Sequence, residues 1–276
     1  MNTIPTQISL DDWEKFGGGF TADSFYHKTD NSIMMKLYAA FMGSKDPLTE
    51  LELAEEVVSL GIPTAKPLEY VQAGDRFGSV FERLVGKRSI ARILADEPER
   101  LDEMAHVFAT EIKKLHSTEC DTTRFSSAKK TMKGKIEASS VLSAEVKEKA
   151  IKVIDGAGDF TTCLHGDCHI GNMLIVNNKP YFIDLGDFAY GDPMFDLGLL
   201  LFQAEPENEA MSEELYHISL SRFREFWDRF KVYYFDNPDG IEEKLMPYVG
   251  LTAALYVAKI GHVIDPLDRA IKRCLI

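Results

Sequence analysis

The hydrophobic pattern changes period partway along the chain. Before residue 86 the apolar runs are short and strand-like: SIMMKLY at 32–38, then 66–71 and 77–83, joined by Ala73-Gly74-Asp75. Short runs rich in β-branched and aromatic residues, broken by Gly and Asp, read as β-strands. One helical pattern interrupts them. It opens on Asp46-Pro47, a cap residue followed by Pro at the first helical position. Leu51, Ala54 and Val58 then form one stripe, with Glu52 and Glu56 on another face, and Gly61-Ile62-Pro63 stops the helix. After Gly86, a candidate boundary, the period is mostly helical. Residues 100–116 carry Leu101, Met104, Ala105, Phe108 and Ile112 at helical spacing, and 129–154, 193–203, 212–234, 241–264 and 266–276 read as further helices.

One stretch departs from that helical half. Residues 163–187 read CLHGDCHIGNMLIVNNKPYFIDLGD. A polar loop at 165–172 is followed by two apolar segments separated by Asn177-Asn178-Lys179, the signature of a β-hairpin. That hairpin holds Asp167 and Asn172 at the mouth of one strand and Asp184 at the end of the next. Two carboxylates and an amide on a rigid hairpin can hold Mg²⁺ and accept a proton from a hydroxyl. Phosphoryl transfer needs both, because its catalysis is mostly positioning and charge neutralisation.

Two features upstream fit the same chemistry. Residues 16–26, FGGGFTADSFY, suggest a flexible strand–turn–strand whose small residues let backbone N–H groups approach an anion. Lys36 sits inside an apolar strand, where a buried ammonium requires a partner or an anion. Glu52, sixteen residues on, is the chosen partner, with Glu55 and Glu56 as alternatives; Thr49-x-x-Glu52 also reads as a capping box.

HGDCHIGN followed by FIDLGDFAYGDPMFDLG resembles the phosphotransferase family of aminoglycoside, choline and related small-molecule kinases. The family pattern is H-G-D-x-x-x-x-N, then I-D-[FLW]-G-D, then G-D-P-x-x-D-L, and every fixed position is present. The resemblance implies a two-lobed, protein-kinase-like α+β fold. A small N-lobe (1–85) would have an antiparallel sheet and one helix, and a larger, mainly helical C-lobe (86–276) would hold the acceptor, with the nucleotide between them. It implies Asp167 as catalytic base, Asn172 and Asp184 as Mg²⁺ ligands, and Lys36, positioned by Glu52, as the grip on the nucleotide phosphates. Gly19, Thr21, Ala22 and Ser24 fall where the turn over the nucleotide lies. Backbone groups around Glu82 and Leu84 would meet the base. His165 and Asp196 are supporting residues; Asp187 either lies near the acceptor or closes the turn. The implied cofactors are ATP, with GTP as the alternative, and Mg²⁺, and the acceptor is a small-molecule hydroxyl. Asp192 follows Asp184 by only eight positions, too few for the peptide platform of a protein kinase.

Composition narrows this further. The chain has 276 residues, 45% hydrophobic and 27% charged, as in an ordinary soluble protein. A net charge of −13 argues against nucleic acid and tilts the acceptor towards a cationic or amino-bearing compound such as an aminoglycoside, choline or amino alcohol. Cys120, Cys163, Cys168 and Cys274 show no disulfide framework, and no signal peptide or membrane span is visible, so a cytoplasmic protein is expected. Three features carry two readings each. The aromatic series Phe223, Phe226, Trp227, Phe230, Tyr233 and Tyr234 is core or a cation cage. Glu205, Glu207, Glu209, Glu213 and Glu214 are a solvated segment or an acceptor border. Lys129, Lys130, Lys133 and Lys135 are a solvated face or a contact to nucleotide or an acidic acceptor. The competing functions are a metal-dependent hydrolase using the Cys, His and Asp residues at 163–169, and a nucleotide-binding protein without chemistry.

Overall fold

The computed structural model describes residues 4–18 and 22–276. It divides into two compact units: one runs up to Lys87 and includes Leu174–Gly186, the other comprises Arg88–Met173 and Asp187–Ile276. A single crossing at Gly86 was expected. The chain instead crosses again on either side of the hairpin, which belongs to the first unit.

Six strands among the described residues build the main sheet of the first unit: β1 (Thr6–Gln7), β2 (Trp13–Gly18), β3 (Ala22–His27), β4 (Ile33–Tyr38), β5 (Pro67–Ala73) and β6 (Arg76–Glu82). Their order is β1-β5-β6-β4-β3-β2, antiparallel throughout except for the parallel β1–β5 pair. Strand alternation sorts the run at 32–38. Met35 and Leu37 point into an apolar layer with Trp13, Phe25, Val71, Ala73 and Val80. Lys36 lies on the opposite face, cross-strand from Ser24 and Ser79. Helix α1 (Lys45–Ser59) covers that second face, where Ser79 Oγ donates to the Pro47 carbonyl at 3.0 Å. Strand β6 passes so close that a Cβ on Gly78 would lie 2.8 Å from the Lys36 carbonyl oxygen, which accounts for a glycine there. The helix begins before the expected Asp46 cap, and its buried stripe is Pro47, Leu51, Ala54 and Val57.

The second unit is mainly helical. It begins with β7 (Arg88–Ser89), α2 (Ile90–Asp96) and α3 (Leu101–Leu115), followed by α4 (Ala128–Ala138), α5 (Ala144–Gly156) and β8 (Cys163–Leu164). The expected single helix at 129–154 is two, because Ser143 caps a new start by accepting from Val146 N–H. The hairpin strands β9 (Met173–Val176) and β10 (Lys179–Phe182) follow. Asn177 and Asn178 have φ of 49° and 61°, the two left-handed positions of a type I′ turn, which Asn tolerates best after Gly. Leu174 and Val176 pack against Leu84, and Phe182 N–H donates to the Pro63 carbonyl.

Strand β11 (Ala189–Tyr190) pairs antiparallel with β8, bringing the segment after the hairpin beside the segment before it. Then come α6 (Met194–Gln203), the short α7 (Glu209–Met211), α8 (Leu220–Tyr234), α9 (Ile241–Ile260) and α10 (Asp265–Cys274). The run at 212–234 is also broken. Ser212–Tyr216 is a π turn, His217 takes a φ of 56°, and Ser219 caps α8. Phe223, Phe226, Trp227 and Phe230 are all 0% exposed, and Phe226 and Phe230 each meet Phe108 of α3 at 5.8 Å between ring centres. Those four aromatics are therefore core, while Tyr234 is half-buried and Tyr233 exposed. Truncating Phe230 to Ala should cost about 3–5 kcal/mol of unfolding free energy, whereas Val232→Ala on the exposed side of the same helix should stay within about 0.5 kcal/mol; urea unfolding of both variants checks the contrast.

Candidate active site

The loop between β8 and β9 is held by one buried carboxylate. Asp196, on the first turn of α6 and 1% exposed, accepts from His165 N–H at 2.7 Å and Gly166 N–H at 2.9 Å. The His116 ring lies 3.1 Å from the same carboxylate through Nε2, and its Nδ1 meets the Tyr234 hydroxyl at 2.8 Å. Burial, then the charge of Asp196, pushes the Tyr234 phenol upward, so it stays a neutral O–H. Gly166 has φ +80°, and a Cβ there would lie 2.0 Å from the Asp187 carbonyl oxygen. Only glycine fits this turn. His165 itself is buried, and its Nδ1 accepts from Asp167 N–H at 3.3 Å.

The turn presents Asp167. Asn172 Nδ2 donates to the Asp167 carbonyl at 3.0 Å and to its Oδ2 at 3.2 Å, so the amide oxygen is the atom of Asn172 left for a cation. His169 Nδ1 accepts from Gly171 N–H at 3.0 Å, which turns Nε2 towards Asp167 Oδ2 at 3.6 Å. Burial opposes the charge on Asp167, but the His169 hydrogen bond and the charges of His169, His165 and Lys259 outweigh it. The carboxyl is held below its ordinary value. Tyr216 packs on His169 at 5.4 Å between ring centres. Burial raises Tyr216 and Tyr256, and the charge of Asp167 adds to both. From sequence, His169 entered only through the hydrolase alternative at 163–169, and Tyr216, Tyr256 and Lys259 were not singled out, since no motif spacing marks them.

In the first unit, Lys36 Nζ pairs with Glu50 Oε1 at 2.7 Å, and Tyr38 donates to Glu50 Oε2 at 2.5 Å. The partner is thus Glu50 and not Glu52, which is exposed along with Glu55. Helix angle explains the correction. Glu50 stands three residues from Pro47 and four from Ala54, on the buried stripe that faces β4, whereas Glu52 is turned well away from it. Burial, followed by the Glu50 charge, drives the Tyr38 phenol strongly upward, and Asp184 contributes to the same effect. Asp184 follows β10 with φ 58°, an exposed carboxylate in a conformation uncommon outside Gly and Asn. Ser24 pairs with Lys36 across β3 and β4. Gly19 and Thr21 lie outside the described residues. In the segment expected to meet the base, Glu82 N–H donates to the Lys66 carbonyl and Arg83 N–H to that of Ser32, while the Leu84 side chain is buried against the hairpin.

The remaining candidates resolve into structure. Asp187 pairs with Lys135 at 3.0 Å, and its carbonyl backs the Gly166 turn. Lys129 and Lys133 pair with Asp159 and Asp155 on a largely solvated face. Glu205 and Glu207 are held by Arg273, and Glu205 also by Arg224. The hydrolase alternative needs converging ligands, and among the described residues no group of three or more His, Cys, Asp or Glu could hold a metal ion. Asn172 and Asp184 do supply the hard oxygen donors that Mg²⁺ takes beside phosphate oxygens and water, so the residue types fit that ion. Because His169 helps to hold Asp167 low, His169→Asn should raise the Asp167 pKa; a ¹³C carboxyl titration of both proteins reads the shift, and an unmoved or lowered value would refute the coupling.

Comparison with known proteins places this geometry. No curated protein sequence matches the chain. Among solved structures, it is similar to aminoglycoside phosphotransferase APH(2'')-Ib in its ADP-bound form, with 21% identity, a TM-score of 0.61, and 95% of this chain and 91% of that chain covered. It is similar to amicoumacin kinase hAmiN in complex with AMP-PNP, Ca²⁺ and Ami, at 13% identity and TM-score 0.60, covering 98% and 88%. A third is aminoglycoside phosphotransferase APH(3'')-Id from Streptomyces rimosus ATCC10970, at 19% identity and TM-score 0.59, covering 88% and 92%. At such identities the likeness establishes the protein-kinase-like α+β fold. The family described as APH, phosphotransferase enzyme family, matches residues 12–228, well over half of the sequence, and the chain belongs to that family of phosphotransferases.

Proposed function

We propose that the protein transfers the γ-phosphoryl group of ATP, with GTP as the alternative donor, to a hydroxyl of a small molecule. The observation that carries this reading is Asp167. Its carboxyl is held low, anchored by Asn172 and His169, and sits on a turn locked by Asp196. A carboxylate charged at neutral pH can accept the proton of an attacking hydroxyl as the new O–P bond forms. Lys36, oriented by Glu50, grips the donor phosphates, and Asn172 and Asp184 supply oxygen ligands to Mg²⁺. When bound, Mg²⁺ neutralises charge on the phosphate oxygens.

The segment after Asp184 supports a small acceptor. A turn at Leu185–Asp187, strand β11 and the start of α6 at Met194 use up the residues that would otherwise form a peptide platform. The surrounding helical unit has the fold of the phosphotransferases named above, and the complex of hAmiN contains both a nucleotide analogue and Ami.

Four variants test the assignments once an acceptor is found with a coupled ADP assay. Asp167→Asn should lower kcat about 100- to 10,000-fold with nucleotide affinity retained; near-normal turnover would reject Asp167 as the base. Asp184→Ala should abolish the Mg²⁺ enhancement of ATP binding, and undiminished enhancement in calorimetry would reject it as a ligand. Glu50→Gln should raise the KM for ATP roughly tenfold, the scale of one lost charged hydrogen bond, while Glu52→Gln leaves it unchanged.

A further inference from the structure

We propose that Tyr234 and His116 are positioning residues for the transfer step, acting on the catalytic turn through Asp196. This rests on the phosphotransferase reading and adds to it the groups that hold the turn ahead of Asp167.

The chain of contacts is short and continuous. The Tyr234 hydroxyl lies 2.8 Å from His116 Nδ1, and His116 Nε2 lies 3.1 Å from Asp196 Oδ2. The same Oδ2 accepts from His165 N–H at 2.7 Å, and Oδ1 accepts from Gly166 N–H at 2.9 Å. Asp167 is the next residue. The His116 side chain is 3% exposed and that of Asp196 1%, so the ring nitrogens and the carboxylate oxygens depend on these partners.

The direction of each bond follows from the groups. A carboxylate only accepts, so His116 carries a proton on Nε2. In the neutral ring Nδ1 then has a lone pair to fill, and the Tyr234 phenol supplies the donor. Burial, then the charge of Asp196, raises the phenol, so that proton is retained. Tyr234 thereby selects the tautomer and orientation of His116 that donates to Asp196. A ring with its proton on Nδ1 instead would set a lone pair against Asp196 Oδ2.

Helix packing does not require this chain. His116 follows α3 and Tyr234 ends α8, and these helices already meet through Phe108, Phe226 and Phe230. The Tyr234 ring stacks on Phe230 at 5.3 Å between centres. An apolar pair at 116 and 234 would extend that contact and leave no buried polar atom to satisfy. What the polar pair supplies is a third donor on the carboxylate that fixes the turn.

Amide hydrogen exchange tests the anchor with no acceptor needed. Tyr234→Phe keeps the stacked ring and removes only the hydroxyl. The His165 and Gly166 amides should then exchange about tenfold faster, while those of Phe226 and Phe230 on α8 stay within about twofold. His116→Gln, whose amide reaches the Nε2 position, should keep both turn amides protected. His116→Asn, whose amide reaches only the Nδ1 position, should not. Adding Tyr234→Phe to His116→Asn should change nothing further, because the phenol acts through the ring. In the coupled ADP assay, Tyr234→Phe should lower kcat about tenfold and leave the KM for ATP unchanged. Unaltered exchange at His165 and Gly166, equal acceleration along α8, or full kcat in Tyr234→Phe would each overturn the inference. Failure of the phosphotransferase reading looks different: the unmodified protein would transfer to no acceptor while the exchange pattern stays as expected. That outcome would remove the transfer step and not the anchor.

Discussion

Asp196 is the constraint on which the catalytic turn depends. A carboxylate 1% exposed has to have its lone pairs filled by donors, and here two backbone N–H groups and a histidine ring fill them. Those N–H groups belong to His165 and Gly166, so the same bonds that satisfy Asp196 fix the backbone entering Asp167. The β8–β11 pairing sets Leu164 opposite Ala189 and Cys163 opposite Tyr190, which delivers Asp196 to the loop from the far side of the hairpin. Gly166 completes the lock, since its positive φ and the abutting Asp187 carbonyl admit no side chain. Sheet register, a left-handed turn and one buried charge therefore act together, and none of them is itself a reacting group.

The sheet of the first unit is built on a different rule, the twofold alternation of a strand. Met35 and Leu37 are fully buried in the apolar layer, and this obliges Lys36 to face α1. There Glu50 serves two donors at once, Lys36 and Tyr38, which stand two residues apart on the same face of β4. A glutamate held by a phenol and an ammonium has little rotamer freedom left. The lysine is consequently held in one place by the fold.

Much of this was legible in the sequence because particular residue types admit few conformations. Asn177-Asn178-Lys179 announced a hairpin, and the two asparagines take the positive φ of its turn while Lys179 opens the next strand. The spacing of His165, Asp167, Asn172, Asp184 and Asp196 carried the family, whose matched region spans all five. What stayed hidden was set by angle or by packing. Glu52 was chosen for its spacing from Lys36, whereas the helix wheel puts Glu50 beside Pro47, Ala54 and Val57. The helical runs at 129–154 and 212–234 looked continuous because composition alone does not show that Ser143 and Ser219 cap new starts. Tyr216, Tyr256 and Lys259 gather near Asp167 only through tertiary folding, from a π turn and from one face of α9.

The acidic composition has a similar lesson. Counted along the chain, the carboxylates suggest a surface waiting for cations. Counted by partner, those of the α6–α8 connection fasten helices together. Arg273 on α10 holds Glu205 and Glu207, and Arg224 on α8 holds Glu205 and Glu242 of α9. Lys231 and Trp227 close the same network from α8. Glu205 is only 6% exposed, so its two guanidinium partners are what make that burial tolerable. Cutting one arginine would leave that buried charge with a single guanidinium partner and loosen the helices that meet there. The excess negative charge of the molecule thus divides into a paired share that braces the helical unit and an exposed share, Glu209, Glu213 and Glu214 among it, that faces water.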